Sequence, residues 1–139
     1  MRCALFLAMQ ERQRIVTRSE IVRGMEVPFH FLGKIAQALS RAGVLEIRKG
    51  ARGGYRLARP AEDISLLQVV EAVEGPIFLN QCLLRPQSCS RSSFCAVHQV
   101  WAQAQQRMRE VLGSASLAEL AECEKRRQRE AAPELPAAG

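Results

Sequence analysis

Apolar positions along the chain recur at two periods. In residues 1–11, Leu5, Ala8 and Met9 fall at helical spacing and predict a first helix with no capping residue ahead of it. The stretch TRSEIVRGMEV then sets Thr17 and Glu20 at the spacing of a capping box, in which each side chain satisfies an orphan amide of the other. Ile21 and Val22 give this second helix a buried side, and Gly24 is expected to end it. The third helix has the strongest pattern. In VPFHFLGKIAQALSRAGV, Pro28 suits a first helical position, Gly43 suits the stop, and Leu32, Ile35, Ala36 and Leu39 form an apolar stripe. The period then changes. Val44, Leu45 and Ile47, followed by Tyr55 and Leu57, read as two strands around KGARGG, whose glycines suit a hairpin turn.

A helical period returns in DISLLQVVEAVEG. Ser65 and Gln68 stand at capping-box spacing, Gly75 is the stop, and Leu66, Val69, Val70 and Val73 are expected to pack on the preceding unit. From Cys95, CAVHQVWAQAQQRMREVL predicts one long helix. Its Val97, Trp101, Ala104, Met108 and Val111 recur at near-heptad spacing, as a helix pairing with a second copy would have them. Ser116 and Glu119 cap a last helix to about Arg129, and residues 130–139 read as a disordered tail. The fold class is mainly α with a small β-hairpin. Residues 1–78 form the first unit, 79–94 a cysteine-rich loop, and 95–129 the long and C-terminal helices.

Charge assigns a role to the first unit. Residues 1–60 carry twelve Lys/Arg against four Asp/Glu, whereas the remainder carries eight against ten. On the third helix His30, Gly33, Lys34, Gln37 and Arg41 share the face opposite the apolar stripe, with no acid among them. Lys49, Arg52 and Arg56 crowd the hairpin. Three helices followed by a basic hairpin is the order of a winged helix-turn-helix, in which the third helix enters the major groove of duplex DNA. A single-strand RNA reader is disfavoured, because only seven aromatics are present and most are expected to be buried. No catalytic constellation is visible, and GARGG is a wing turn rather than a phosphate loop. No apolar run is long enough to span a membrane, no cleavable leader follows the first residues, and the expected location is cytoplasmic.

In the cytoplasm clustered cysteines remain thiols. Cys82, Cys89 and Cys95 lie in a Pro- and Ser-containing stretch, with His98 three residues beyond Cys95. Thiols six or seven residues apart on one helix would stand roughly 9–10 Å apart along its axis, so they converge only if the chain loops. Cys95 and His98, at the start of the long helix, share a face. Three thiolates and an imidazole suit a 2Fe–2S cluster or a tetrahedral zinc ion. The close cysteine pairs usual for zinc are absent, which favours the cluster. Cys3 and Cys123 lie apart from this set and read as packing residues.

The segments FLGKIAQALSRAGVLEIRKGARGGYRLARP and ISLLQVVEAVEG together resemble the Rrf-type winged-helix regulators, the family of IscR, NsrR and CymR, over roughly residues 3 to 120. The resemblance implies a homodimeric transcription factor that binds palindromic operators; some members hold an iron–sulfur cluster and some do not. It implies that Pro28, His30, Gly33 and Lys34 form the base-reading end of the third helix, and Lys49 and Arg52 the wing contacts. Some cluster-binding members carry an acid where Gly33 stands, so a different base preference is expected. The three cysteines and His98 look like the IscR-type ligand set, with one extra residue between the first two cysteines. Family members usually have further residues ahead of the point matched by Met1–Cys3; some take a ligand from there, so His98 is expected to serve as the fourth. Redox state or nitric oxide is the kind of signal such a site implies. The alternatives are a cluster-free relative sensing thiol state or a partner, a zinc-stabilised nucleic-acid module, and an electron-transfer protein. The last leaves the basic hairpin unexplained.

Overall fold

The computed structural model describes residues 1–25 and 28–131. Seven α-helices and one hairpin follow in the order α1 (Arg2–Ala8), α2 (Arg18–Met25), α3 (Phe29–Arg41), β1 (Leu45–Arg48), β2 (Gly54–Leu57), α4 (Leu66–Glu74), α5 (Gln81–Leu84), α6 (Ala96–Ser114) and α7 (Leu117–Ala131). One core joins the helices to the hairpin. Ile21 of α2, Leu32 and Leu39 of α3, Leu45 of β1, Val69 of α4 and Leu117 of α7 are all fully buried in it, with Cys3 and Leu7 of α1. The thiol of Cys3 is pushed up to about 11 by burial, which makes it a packing group.

The capping signals are realised as written. The Thr17 hydroxyl accepts from the Glu20 amide at 3.3 Å, and the Glu20 carboxylate accepts from the Thr17 amide at 2.8 Å. Ser65 with Gln68 and Ser116 with Glu119 repeat the arrangement at α4 and α7. Gly43 and Gly75 end α3 and α4 with φ of +68° and +84°, a left-handed backbone that side-chain-bearing residues rarely adopt. Pro28 caps α3 from just outside rather than opening it.

Several expectations need correction. Gly24 does not end α2, which runs on to Met25. A Cβ at Gly24 would lie 2.5 Å from the Phe6 ring, so the glycine lets α1 approach. Val73 faces solvent instead of the core. The last helix continues to Ala131, past the expected start of the tail, and residues 132–139 lie outside the described residues. Nor are most aromatics buried: Phe29, Phe31, Phe78, Phe94 and Trp101 are exposed.

In the hairpin β1 pairs antiparallel with β2, setting Leu45 opposite Leu57 and Glu46 opposite Arg56, and Val16 bridges to Tyr55 at its edge. The Glu46 carboxylate accepts from Arg56 on the other strand and from Arg48 on its own. These two guanidinium groups, Arg56 foremost, hold its carboxyl below the usual range. Arg56 is therefore a strut within the wing, and Lys49 and Arg52 at the turn remain outside every ion pair among the described residues.

Two outcomes follow from this packing. Gly24→Ala should destabilise by about 1–3 kcal/mol through overpacking against Phe6, and a Phe6→Leu background should relieve most of that loss in denaturant titrations. Separately, the Thr17 amide, then its hydroxyl and Arg14, hold the Glu20 carboxyl down to about 2 from an ordinary 4.5. A depressed folded-state pKa contributes stability above the unfolded value that is lost as pH falls toward the folded one. Acid melting between pH 4.5 and about 2 should therefore be shallower in Glu20→Gln than in the parent, while Thr17→Ala should cost about 1 kcal/mol at neutral pH.

Candidate DNA-reading face and sulfur site

Helix α3 buries Leu32, Ala36 and Leu39 and turns His30, Lys34, Gln37 and Arg41 to solvent, with Gly33 half-buried beside them. The opposite faces follow from the 3.6-residue period of the sequence. Pro28 is exposed at the helix entry. None of Lys34, Arg41, Lys49 and Arg52 pairs with an acid among the described residues. These cations thus stand on two projecting elements, a helix face and a hairpin tip, with their charge uncompensated. Such a surface suits a duplex, whose phosphates take cations along the strand and whose base edges take a helix.

The sequence reading missed two kinds of residue here. Phe29 and Phe31 flank the α3 face at its first turn and are 56% and 51% exposed. Arg18, the first residue of α2, reaches across to Phe29. The signal was the run PFHF at a helix start: Phe29 and Phe31 sit about 100° either side of His30, outside the Leu32–Leu39 stripe.

The sulfur site is built on the next two helices. Cys82 lies on α5, and His98 on the first turn of α6, whose N-cap is Cys95. His98 Nδ1 stands 3.4 Å from Cys82 Sγ, although sixteen residues separate them. The Leu79 amide donates to Gln105 of α6 at 3.2 Å and fixes the approach of the segment before α5. Cys89 sits between a 3-10 turn (Pro86–Ser88) and a bend held by Ser92 hydroxyl donation to the Pro86 carbonyl. All three thiols are partly accessible. Two of the four expected donors are thus together, and among the described residues no three His, Cys, Asp or Glu side chains converge to metal-binding distance. Residues 85–95 bury no apolar side chain, so no core contact among the described residues draws Cys89 and Cys95 inward. The donor types fit iron–sulfur or zinc chemistry, and ligation commonly supplies the free energy that closes such a loop.

Helix α6 carries the expected apolar series to solvent. Val97 and Val111 are 61% and 67% exposed, Trp101 and Ala104 are exposed, and Met108 is half-buried. Val100 and Phe94 extend the strip. No residue of this nineteen-residue helix is buried. Among the described residues, no helix is long and apolar enough to cross a membrane.

Comparison with known proteins accords with this geometry. The sequence profile of the Rrf2 family, described as iron-dependent transcriptional regulator, matches residues 1–123. Protein rrf2 of Nitratidesulfovibrio vulgaris is 31% identical over 119 residues, covering 86% of this chain and 79% of that protein. Among solved structures, T. potens IscR superposes with a TM-score of 0.71 at 24% identity, over 91% of this chain and 83% of that one. CymR, the global cysteine regulator of B. subtilis, does so with a TM-score of 0.70 at 23% identity, over 86% and 88%. The uncompensated cations of α3 and the hairpin turn are therefore those of a winged helix, and this chain belongs to the Rrf2 family of DNA-binding transcriptional regulators, which are not enzymes.

Proposed function

We propose that the chain is a cytoplasmic, homodimeric regulator whose grip on a palindromic operator is set by an iron–sulfur group held at the root of α6. The observation that carries this reading is the Cys82–His98 contact, which joins a thiol of α5 to an imidazole on the first turn of the projecting helix. Cys82, Cys89, Cys95 and His98 would hold the group, a 2Fe–2S cluster in this reading, and zinc is the competing occupant of the same donors. Such a cluster brings one-electron chemistry and reactivity toward oxidants or nitric oxide.

The chain's own residues supply the rest. His98 and Cys82 tie α5 to α6. Closing the loop onto this pair would order residues 85–95 against the start of α6. At the far end of α6, Arg109 is paired with Glu71 of α4. A change at the sulfur end is thus communicated to the winged unit through one rigid helix. Lys49 and Arg52 hold phosphates, while His30, Gly33, Lys34 and Gln37 of α3 face the base edges and Pro28 sets the entry of that helix.

The test is iron and sulfide content of anaerobically purified protein, with operator binding before and after loss of colour. Cys82→Ala, Cys89→Ala and Cys95→Ala should each abolish visible absorbance. His98→Ala should leave it labile, and His98→Cys should retain it. Colourless protein with stoichiometric zinc would assign the donors to zinc. For the assembly, Trp101→Glu with Met108→Glu should give a folded monomer in sedimentation, because no residue of α6 is buried in the core; a persistent dimer would place the interface elsewhere.

A further inference from the structure

Phe29 is the first residue of α3, and more than half of its surface is open to solvent. Its ring is nonetheless fixed. The Arg18 guanidinium lies over it, 3.6 Å from the ring centroid. The same guanidinium donates through Nη2 to the Phe29 carbonyl at 2.6 Å. Arg18 is thus attached both to the ring and to the backbone that carries it. Its Nε is buried and finds no partner among the described residues, an arrangement that costs stability. A cation–π contact and a hydrogen bond to one residue make up for part of that cost.

Gly33 completes the cluster. One helical turn beyond Phe29, it lies on the same edge of α3, and a Cβ there would stand 3.9 Å from Arg18 Nη2. With no side chain at position 33, that position neither covers the ring nor competes for Arg18. The result is a flat apolar plate, held in one orientation, at the border of the polar strip formed by His30, Lys34 and Gln37. An exposed phenylalanine alone would need no explanation. One braced by a partly buried arginine, on the helix that meets DNA, is a recognition surface.

We infer that Phe29 reads thymine: its ring meets a C5-methyl group in the major groove, and Arg18 is the positioning residue that holds the ring for it. The thymine methyl is the one apolar feature that base edges present in that groove, and a phenylalanine is among the side chains suited to it. The inference rests on the reading of α3 as the groove-entering helix, and adds a base identity that the polar residues of the helix do not supply.

The test separates the two. Full-length protein is used to select binders from a random-sequence duplex pool, and the recovered duplex is remade with deoxyuridine replacing each thymidine in turn, which removes one methyl and nothing else. Affinities are measured by fluorescence anisotropy at fixed salt. In the parent protein, one thymine per half-site should lose about fourfold in affinity on demethylation, the value of one buried methyl-sized group. In Phe29→Ala that difference should vanish, while a cooperative thermal melt, lowered by no more than the lost cation–π contact, shows that the protein still folds. In Arg18→Lys it should shrink, because a lysine keeps the charge without the planar stack. Retained duplex with no methyl effect at any position overturns the thymine assignment and leaves the DNA-binding reading standing; so does a methyl effect that persists in Phe29→Ala. An effect of Phe29→Ala on DNA bending with none from demethylation would make Phe29 a wedge between bases, and likewise overturns it. Failure to retain any duplex removes both readings.

Discussion

A nineteen-residue helix that buries none of its own residues is the constraint on which the rest of this structure depends. Isolated helices of this length are marginal in water, and most helical stability in proteins comes from packing an apolar face. Helix α6 has such a face in Val97, Trp101, Ala104, Met108 and Val111, and the described residues leave all of it but the half-buried Met108 exposed. Its attachment to the core is at one end. The Arg109–Glu71 pair joins α6 to α4, and the Leu66 amide donates to the Ala115 carbonyl at 2.8 Å. The Leu117 amide then donates to Ile64 at 2.8 Å, and the Leu117 side chain enters the winged core. The C-terminal end of α6 is thereby welded to the winged unit, whereas its N-terminal end, with Cys95 and His98, meets the short α5 through the Cys82–His98 contact.

Placing thiols at the far end of α6 differs physically from placing them in the core. Buried in the core, a thiol has its ionisation suppressed, as Cys3 shows. At the end of α6 the thiols of Cys82, Cys89 and Cys95 remain partly accessible, and the loop that bears two of them is held only by local turns such as Ser88 to Arg85 and Ser92 to Pro86. Such a segment can open and close at small free-energy cost, which is what a site that responds to its surroundings requires.

Much of this was legible in the sequence, for reasons that differ from residue to residue. The caps Thr17–Glu20, Ser65–Gln68 and Ser116–Glu119 were readable because each is a closed local arrangement four residues long. The core stripe of α3 was readable because one helix has one period. Gly24 was misjudged because its reason lies on another helix, at the Phe6 ring. Arg56 was grouped with Lys49 and Arg52 as a basic residue of the hairpin, and its pairing with Glu46 becomes visible only once the hairpin register is set. The exposed phenylalanines escaped notice because aromatic residues are buried on average, and only the angular position of Phe29 and Phe31 around α3 shows that the core stripe excludes them. The sulfur site was half legible: Cys95 and His98 share a face by local spacing, whereas the Cys82–His98 contact depends on how α5 folds back on α6.

The two functional surfaces share one mechanical frame. The α3 face is fixed to the core by Leu32, Ala36 and Leu39, so it cannot reorient within its own unit. In the proposed reading, a change in DNA binding would move the whole winged unit, to which α6 is joined through Arg109 and the Leu66–Ala115 hydrogen bond. In a pair of such chains joined along α6, the separation and tilt of the two α3 helices would follow from the crossing geometry of the α6 pair. Duplex DNA presents successive major-groove faces about 34–36 Å apart, and a dimer reads both half-sites only when its two helices match that spacing. A group that drew Cys82, Cys89 and Cys95 onto His98 would act at the end of α6 farthest from the weld, where a given force exerts the greatest torque. In the proposed reading, position along one helix, rather than proximity to DNA, would give the sulfur site its leverage over the operator.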